Sequence, residues 1–429
     1  MKTENLTKEE YLAPRWAALE EHFNNRGADG KAIADAFREH YTLYSEDMPV
    51  WLARLYDRKT GGFYYSNSAR DNEPFLPDIE STNQALNLMI NSGMMKNCSE
   101  LPASVKERLI SFVCGLENPD DGYIYHPQWG KNISNSRRGR DLMWACSMED
   151  KLGFKLPYPT ANERLRALRE AAGEDKEKKA AALPEHLTSK EAFIKYLEGF
   201  DWINNAYYAG NTIAAQGHQI IAAGLAEICA EYLNKYQNPN TGFWSDKTDL
   251  HTGVNGFLKI TCFYCDAKLP INMAERAALS AIDCTKSDEI GTTVCHLYNA
   301  WYALGNILSS LRRSGTEEDL KTAERISALI LKHAPEAVRA AKMKTAIFRK
   351  ADGGFSYHRD RSAFKSQEAW VAVENTPESD VNATVLSTSG LTSNIYQALG
   401  VPAEIRVPIY TYHDLDNFLQ ALDIQEHEK

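Results

Sequence analysis

Several His, Tyr, Asn and Arg residues follow a recurring turn, and their types suit proton transfer beside an anion. His126 and Trp129 precede an SRRGRD run carrying Arg137, Arg138 and Arg140. Trp244, Asp246, His251, Asn255 and Lys259 follow one turn, and Tyr357, His358 and Arg359 follow another. The segments WINNAYYAGN and TTVCHLYNAWY add Tyr208 and Asn211, and then His296, Tyr298 and Asn299. Arginine pairs with carboxylates through two parallel hydrogen bonds, and aromatic faces stack on sugar rings, so the set suits an acidic polysaccharide. A uronic acid unit can be cleaved by β-elimination. Neutralising its carboxylate acidifies the C5 proton, a base removes that proton, and an acid protonates the leaving glycosidic oxygen.

On this reading Tyr298 is the expected proton-transfer group. His251 and His218 are candidate bases or neutralisers, and Asn255 and Asn211 are candidate carboxylate neutralisers. Arg137, Arg138, Arg140, His126, Trp129, Tyr208, Trp244, His296, His358 and Arg359 are candidate substrate-binding residues. The plainer reading keeps the arginine run as a solvated loop and the aromatics as core or turn packing. The elimination needs neither a metal nor a cofactor, and none is expected.

These residues need a scaffold that brings them together, and the chain repeats itself. RKTGGFYY, NPDDGYIYH, NPNTGFW and KADGGFSYH share a polar turn, a glycine and an aromatic run. Aligning Gly62, Gly122, Gly242 and Gly354 gives spacings of 60, 120 and 112 residues, close to one, two and two periods of sixty. A second repeat is an apolar segment ending in Gly93, Gly224, Gly305 or Gly400, with Asn87, His218, Asn299 or Asn394 six positions earlier. VNGFLKITCFYC and DLMWACSMEDKLG are weaker copies. Sixty residues make a helical hairpin, and strand signals are thin. Helices alternating between strongly apolar and amphipathic predict an inner and an outer layer. The expected architecture is all-α: a single (α/α) barrel or toroid over 1–429, with about six or seven hairpins and short β pieces at the turns. The charged stretch 171–192 reads as an exposed insertion or outer-helix region. In such a ring the turns lead into inner helix N-termini, which cluster at one mouth and favour anions.

Composition bounds the partners. Hydrophobic residues are 43% and charged residues 25%, a globular balance that excludes disorder or a coiled coil as the main state. Lys and Arg number 48 against 58 Asp and Glu, leaving a net charge of −10, which disfavours general nucleic-acid binding. No apolar run is long enough to span a membrane, so no membrane partner is expected. The N-terminus lacks the apolar core of a signal peptide. That predicts a cytoplasmic chain, or a periplasmic or secreted one whose signal has been removed. The eight scattered cysteines read as reduced, mostly buried thiols, with Cys262 and Cys265 one helical turn apart rather than a zinc site. Oligomeric state is not encoded legibly.

The glycine-aromatic turns, with NGFLKI-like and ALG-like inner helices, resemble the terpenoid-cyclase-like toroids. Among these they are most similar to the (α/α)-barrel polysaccharide lyases acting on alginate and glucuronan, of polysaccharide lyase family 38 type. The resemblance implies an acid/base tyrosine, carried onto Tyr298, with His and Asn partners. Older alginate lyases of this fold class carry Asn-Asn-His on an inner helix; here Asn204 and Asn205 are followed by Ala206, so the base falls to His218, His251 or His296. Another chemistry for the same barrel is glycoside hydrolysis, which needs two carboxylates across one bond. Asp78, Glu80, Asp121 and Asp246 are its candidates. An isoprenoid cyclase would need a DxDD motif, which the sequence lacks, and non-catalytic glycan binding is a further alternative.

Overall fold

Three of the glycine-aromatic turns close through a glycine N–H bonded four residues back, and the fourth through one bonded three residues back. Gly61, Gly122 and Gly242 donate to the carbonyls of Asp57, Asn118 and Asn238, and Gly353 donates to Lys350. All four glycines hold left-handed backbone, with φ of 86°, 69°, 73° and 100°. The repeat therefore aligns on Gly61 and Gly353, one residue before the Gly62 and Gly354 expected from the pattern. The residue two past each turning glycine is Phe63, Ile124, Trp244 or Phe355, and all four are buried.

The computed structural model describes residues 6–171, 184–245 and 249–427. It is mostly helical, as expected for an all-α chain. The helices are α1 (Lys8–Asn24), α2 (Gly30–Tyr41), α3 (Asp47–Arg54), α4 (Asn67–Asp71), α5 (Ile79–Asn91), α6 (Ala103–Leu116), α7 (Asn135–Leu152), α8 (Ala161–Ala171) and α9 (Lys190–Glu198). They continue as α10 (Ala206–Ala222), α11 (Ala226–Asn234), α12 (Leu250–Ala267), α13 (Ala274–Lys286), α14 (Cys295–Ser314), α15 (Glu317–Ala346), α16 (Val381–Val385), α17 (Leu391–Ala398) and α18 (Tyr412–His427). One hairpin of two-residue strands, β1 (Lys365–Ser366) and β2 (Ala369–Trp370), pairs Lys365 with Trp370. Most of the expected insertion 171–192 lies outside the described residues.

Six helical segments pack side by side in the order α7, α5, α16–α17, α14, α12, α10. Gly256 lies against Ala206 and Gly210 against Ile260, so α10 and α12 run the same way. Asn299 bonds Asn255 and Asn306 bonds Thr261, so α14 is parallel to them. The polar residues before these helices act as caps: Asp78, Ser134, Asp249 and Asp380 each accept a backbone N–H of the following turn. Amphipathic helices cover the outside, with α15 against α2, α13 and α14, and α18 against α3.

Two expectations change. Gly305 does not end a helix: α14 runs on to Ser314, and Gln397 of α17 occupies the space beside the missing side chain. Nor are the inner helices apolar all round. Thr252, Asn255, Lys259, Cys262 and Asp266 form a partly exposed stripe along α12, and Tyr207, Asn211 and His218 form one along α10. Stripes at this helical spacing face water or a ligand rather than a dry core. All eight cysteines are free thiols, and no helix among the described residues is long and apolar enough to cross a membrane.

The turning glycines also allow close approach. A Cβ on Gly242 would stand 2.5 Å from the backbone nitrogen of Ala277, whereas one on Gly224, at a similar φ of 70°, meets nothing. Gly242→Ala is expected to lower stability by about 2–4 kcal/mol, from left-handed strain plus backbone displacement, and Gly224→Ala by about 1–2 kcal/mol from strain alone. Denaturant unfolding of the two variants measures the difference; equal losses would refute the close-approach argument.

Candidate functional site

The parallel helices α10, α12 and α14, of which α12 is capped by Asp249, bring several of the expected side chains to one end. Asp249 caps α12 and accepts the His251 N–H, which sets the His251 ring in the first turn. His251 Nε2 lies 3.1 Å from the Glu289 carbonyl, and its ring centre is 5.1 Å from that of His296 on α14. The Thr293 N–H donates to His296 Nδ1 at 3.4 Å, and the Asn255 amide lies 3.4 Å from Nε2. Asn299 donates to Asn255 Oδ1, so two amides and two imidazoles form one connected group across α12 and α14. Burial, then the neighbouring His251, holds His296 below the usual imidazole value, so it is neutral at pH 7.

The turn around Tyr357 closes over this group. Tyr357 accepts the Val294 N–H, His358 bridges Thr293, and Arg359 donates to the carbonyls of Ile290 and Gly291. The Tyr357 hydroxyl lies 3.4 Å from Cys295 Sγ, at the first residue of α14. Tyr298 sits beside Cys295, Tyr357 and Tyr207, and burial, reinforced by Cys295, pushes its phenol well above the ordinary value. Tyr298 is therefore a proton donor at neutral pH and a poor base. Lys259 Nζ is 5.6 Å from the Tyr207 ring centre.

A second group lies at the N-terminus of α7. Arg137 is fully buried and pairs with Asp141 (2.8 Å), Glu80 (3.0 Å) and Asp78 (3.3 Å). Its guanidinium lies over Trp129 and Trp144 and donates to the Ser366 carbonyl. His126, also buried, bonds the Pro77 carbonyl at 2.8 Å and packs on Trp129. Trp129 donates its indole N–H to the Trp370 carbonyl, and Ser134 and Ser136 hold Gln367. These contacts strap the β1–β2 hairpin over the end of α7, with Trp370 45% exposed and Lys365 Nζ 4.4 Å from its ring centre. Trp129 and Tyr357 border the same small apolar cluster under the hairpin, formed by Tyr65, Ala69, Ala363, Val371 and Ala372, which joins the two groups.

The expected substrate contacts thus divide. Tyr298, His251, His296, Asn255, His358 and Arg359 come together, whereas Tyr208 is exposed on α10 with its ring against Phe200, and Asn211 is exposed about one turn further along that helix. His218 lies seven residues beyond Asn211, about 10 Å further along the helix axis, and does not join them. Arg137 and His126 cannot touch a substrate, because carboxylates and a carbonyl already occupy them. Trp244 fills the buried position of its turn and donates to the Leu233 carbonyl. Arg138 turns to Tyr123 and Asn135, whereas Arg140 stays exposed, close enough to influence Glu80. The hydrolase carboxylates are also engaged: Asp78 caps α5 and pairs with Arg137, Glu80 pairs with Arg137, and Asp121 bonds Tyr123, Tyr125 and Lys131. Asp246 lies outside the described residues.

Two residues at this end carry no earlier expectation. Cys295 carries no repeat signal, and Trp370, in the short run AWVAV, follows none of the repeated turns. Among the described residues no group of three or more His, Cys, Asp or Glu side chains is arranged to hold a metal ion. Comparisons with family models, curated proteins and solved structures returned no match.

Proposed function

We propose that this chain is a polysaccharide lyase that cleaves an acidic, uronate-containing polysaccharide of the alginate or glucuronan type by β-elimination, and that its inner helices close into an (α/α) toroid. The observation that supports the reading most is the meeting of a neutral imidazole (His296), a protonated phenol (Tyr298) and two amides (Asn255, Asn299) at the N-termini of α12 and α14. The amides, with the charges of Lys259 and Arg359, meet the uronate carboxylate and acidify the C5 proton. His296 accepts that proton. The electron pair left on C5 forms the C4–C5 double bond as the C4–O bond breaks, and Tyr298 gives its proton to the departing oxygen. Side chains supply every proton transfer, so the step runs without a metal. The hydrolase reading is weaker because Asp78, Glu80 and Asp121 are held in caps, turns or a buried ion cluster.

A panel of uronate polymers tests this, scored for the ultraviolet absorbance of the conjugated unsaturated product, with and without chelator. New absorbance that survives chelation supports the lyase; reducing ends without absorbance support a hydrolase. Trp370 serves as a stacking platform beside the reacting unit, so Trp370→Ala is expected to raise KM about tenfold with kcat within about threefold. An unchanged KM would remove the hairpin from the substrate path.

A further inference from the structure

At the other end of the inner helices, a cavity of about 480 Å³ opens between Arg26, Arg312 and the face of α15 that carries Glu324, Ser327 and Leu331. That volume accepts a sugar-sized molecule. Arg26 is fixed in place: it donates to the Leu399 carbonyl at the end of α17 and to Ser327 Oγ (2.7 Å), with His22 Nε2 3.3 Å away. Gly400, left-handed with φ of 66°, lies so close that a Cβ would come within 3.2 Å of the guanidinium. Arg312, in the last turn of α14, makes no hydrogen bond or ion pair among the described residues. Burial and the facing charge of Arg312 together lower the Arg26 pKa. Two guanidinium groups thus share one concavity, opposed by the single carboxylate of Glu324, on a chain of net charge −10. Two like charges against one opposing carboxylate leave the empty site with unbalanced positive charge, and a bound anion relieves it.

We propose that this cavity binds a small oxyanion, a carboxylate or phosphate group on a molecule of up to sugar size. Arg312 contributes its whole guanidinium, Arg26 its remaining N–H groups, and Ser327 its hydroxyl hydrogen, which the bond from Arg26 leaves free. The site lies about 25 Å along α14 from Cys295, at the opposite end from the imidazole–phenol group, and does not rest on the lyase reading.

Calorimetric titration of the full chain with inorganic phosphate, and separately with glucuronate, at ionic strength matched with sodium chloride, tests it. Saturable binding of either is expected; the stronger of the two identifies the group recognised. Arg312→Gln removes an exposed, contact-free side chain, so the fold is retained, and it should weaken that binding at least about tenfold. Tyr298→Phe, at the far end, should leave it unchanged. Binding of neither anion above the chloride control, or equal binding by Arg312→Gln, would overturn the proposal.

Discussion

Replacing Arg137 with methionine is expected to lower stability by about 3–5 kcal/mol, because it strips the paired guanidinium from three buried carboxylates. Asp78, Glu80 and Asp141 surround the guanidinium, and one Asp141 oxygen has no hydrogen-bond partner even with Arg137 present. Burial already pushes Asp141 up to about 7 and Glu80 above its ordinary value, against the pull of Arg137. Without that pull both rise further. A carboxyl group whose folded pKa exceeds its unfolded one binds more protons when folded, so its contribution is present at low pH and lost as pH rises. The window runs from the ordinary carboxylate range to about 7 and beyond. The Arg137→Met deficit should therefore be larger at pH 7.5 than at pH 5, as measured by urea unfolding at both values. A pH-independent deficit would mean that methionine simply packs badly against Trp129 and Trp144. The loss should also loosen the β1–β2 hairpin, since Arg137 holds the Ser366 carbonyl, and raise the quantum-yield sensitivity of Trp370 to quenchers.

The helical class and the capped helix starts were readable because Asp78, Ser134, Asp249 and Asp380 are short polar residues placed just before apolar segments. The glycine turns were readable to within a residue. In a GG pair the sequence does not say which glycine takes positive φ, and in both such turns the first one does. Gly305 misled because a glycine after an apolar run marks either a helix end or a close helix contact, and only the partner Gln397 decides between them.

Side-chain direction was the harder part. In SRRGRD the three arginines look alike, but a helix starting at Asn135 turns Arg137 inward with Asp141, Trp144 and Met148, while Arg138 and Arg140 face elsewhere. Trp244 looked like a mouth residue because it follows a turn. Its repeat equivalents Phe63, Ile124 and Phe355 show that this position points into the core. Trp370 was invisible because two-residue strands leave no alternation to detect. The polar stripe along α10 left a mark in the recurring Asn and His six residues before the glycines, although His218 lies too deep to reach the group at the helix starts.

Tyr298→Phe and His296→Gln are each expected to reduce turnover of a uronate polymer by about 10²–10⁴-fold while leaving oligosaccharide binding within a few-fold. Both changes keep the side-chain volume and remove one proton-transfer atom. The pH profile distinguishes the two roles. A base works when deprotonated, and His296 is held below the ordinary imidazole value by burial and His251, so the acid limb of kcat/KM should lie below pH 6.5. An acid works when protonated, and Tyr298 is held well above 10, so no falling limb should appear below that pH in the folded enzyme. The expected curve is a plateau through the neutral and mildly alkaline range, unlike the narrow bell of a tyrosine that must also ionise to act as base. A falling limb near pH 9 that vanishes in Tyr298→Phe would assign the ionised phenol as the base and return His296 to carboxylate neutralisation. Near-full turnover in both variants would remove the α12–α14 group from the chemistry. Because Asn255 joins His296 to Asn299, Asn255→Ala supplies the last control. Loss of carboxylate neutralisation should slow uronate polymers without moving the acid limb by more than the altered polarity around His296 allows.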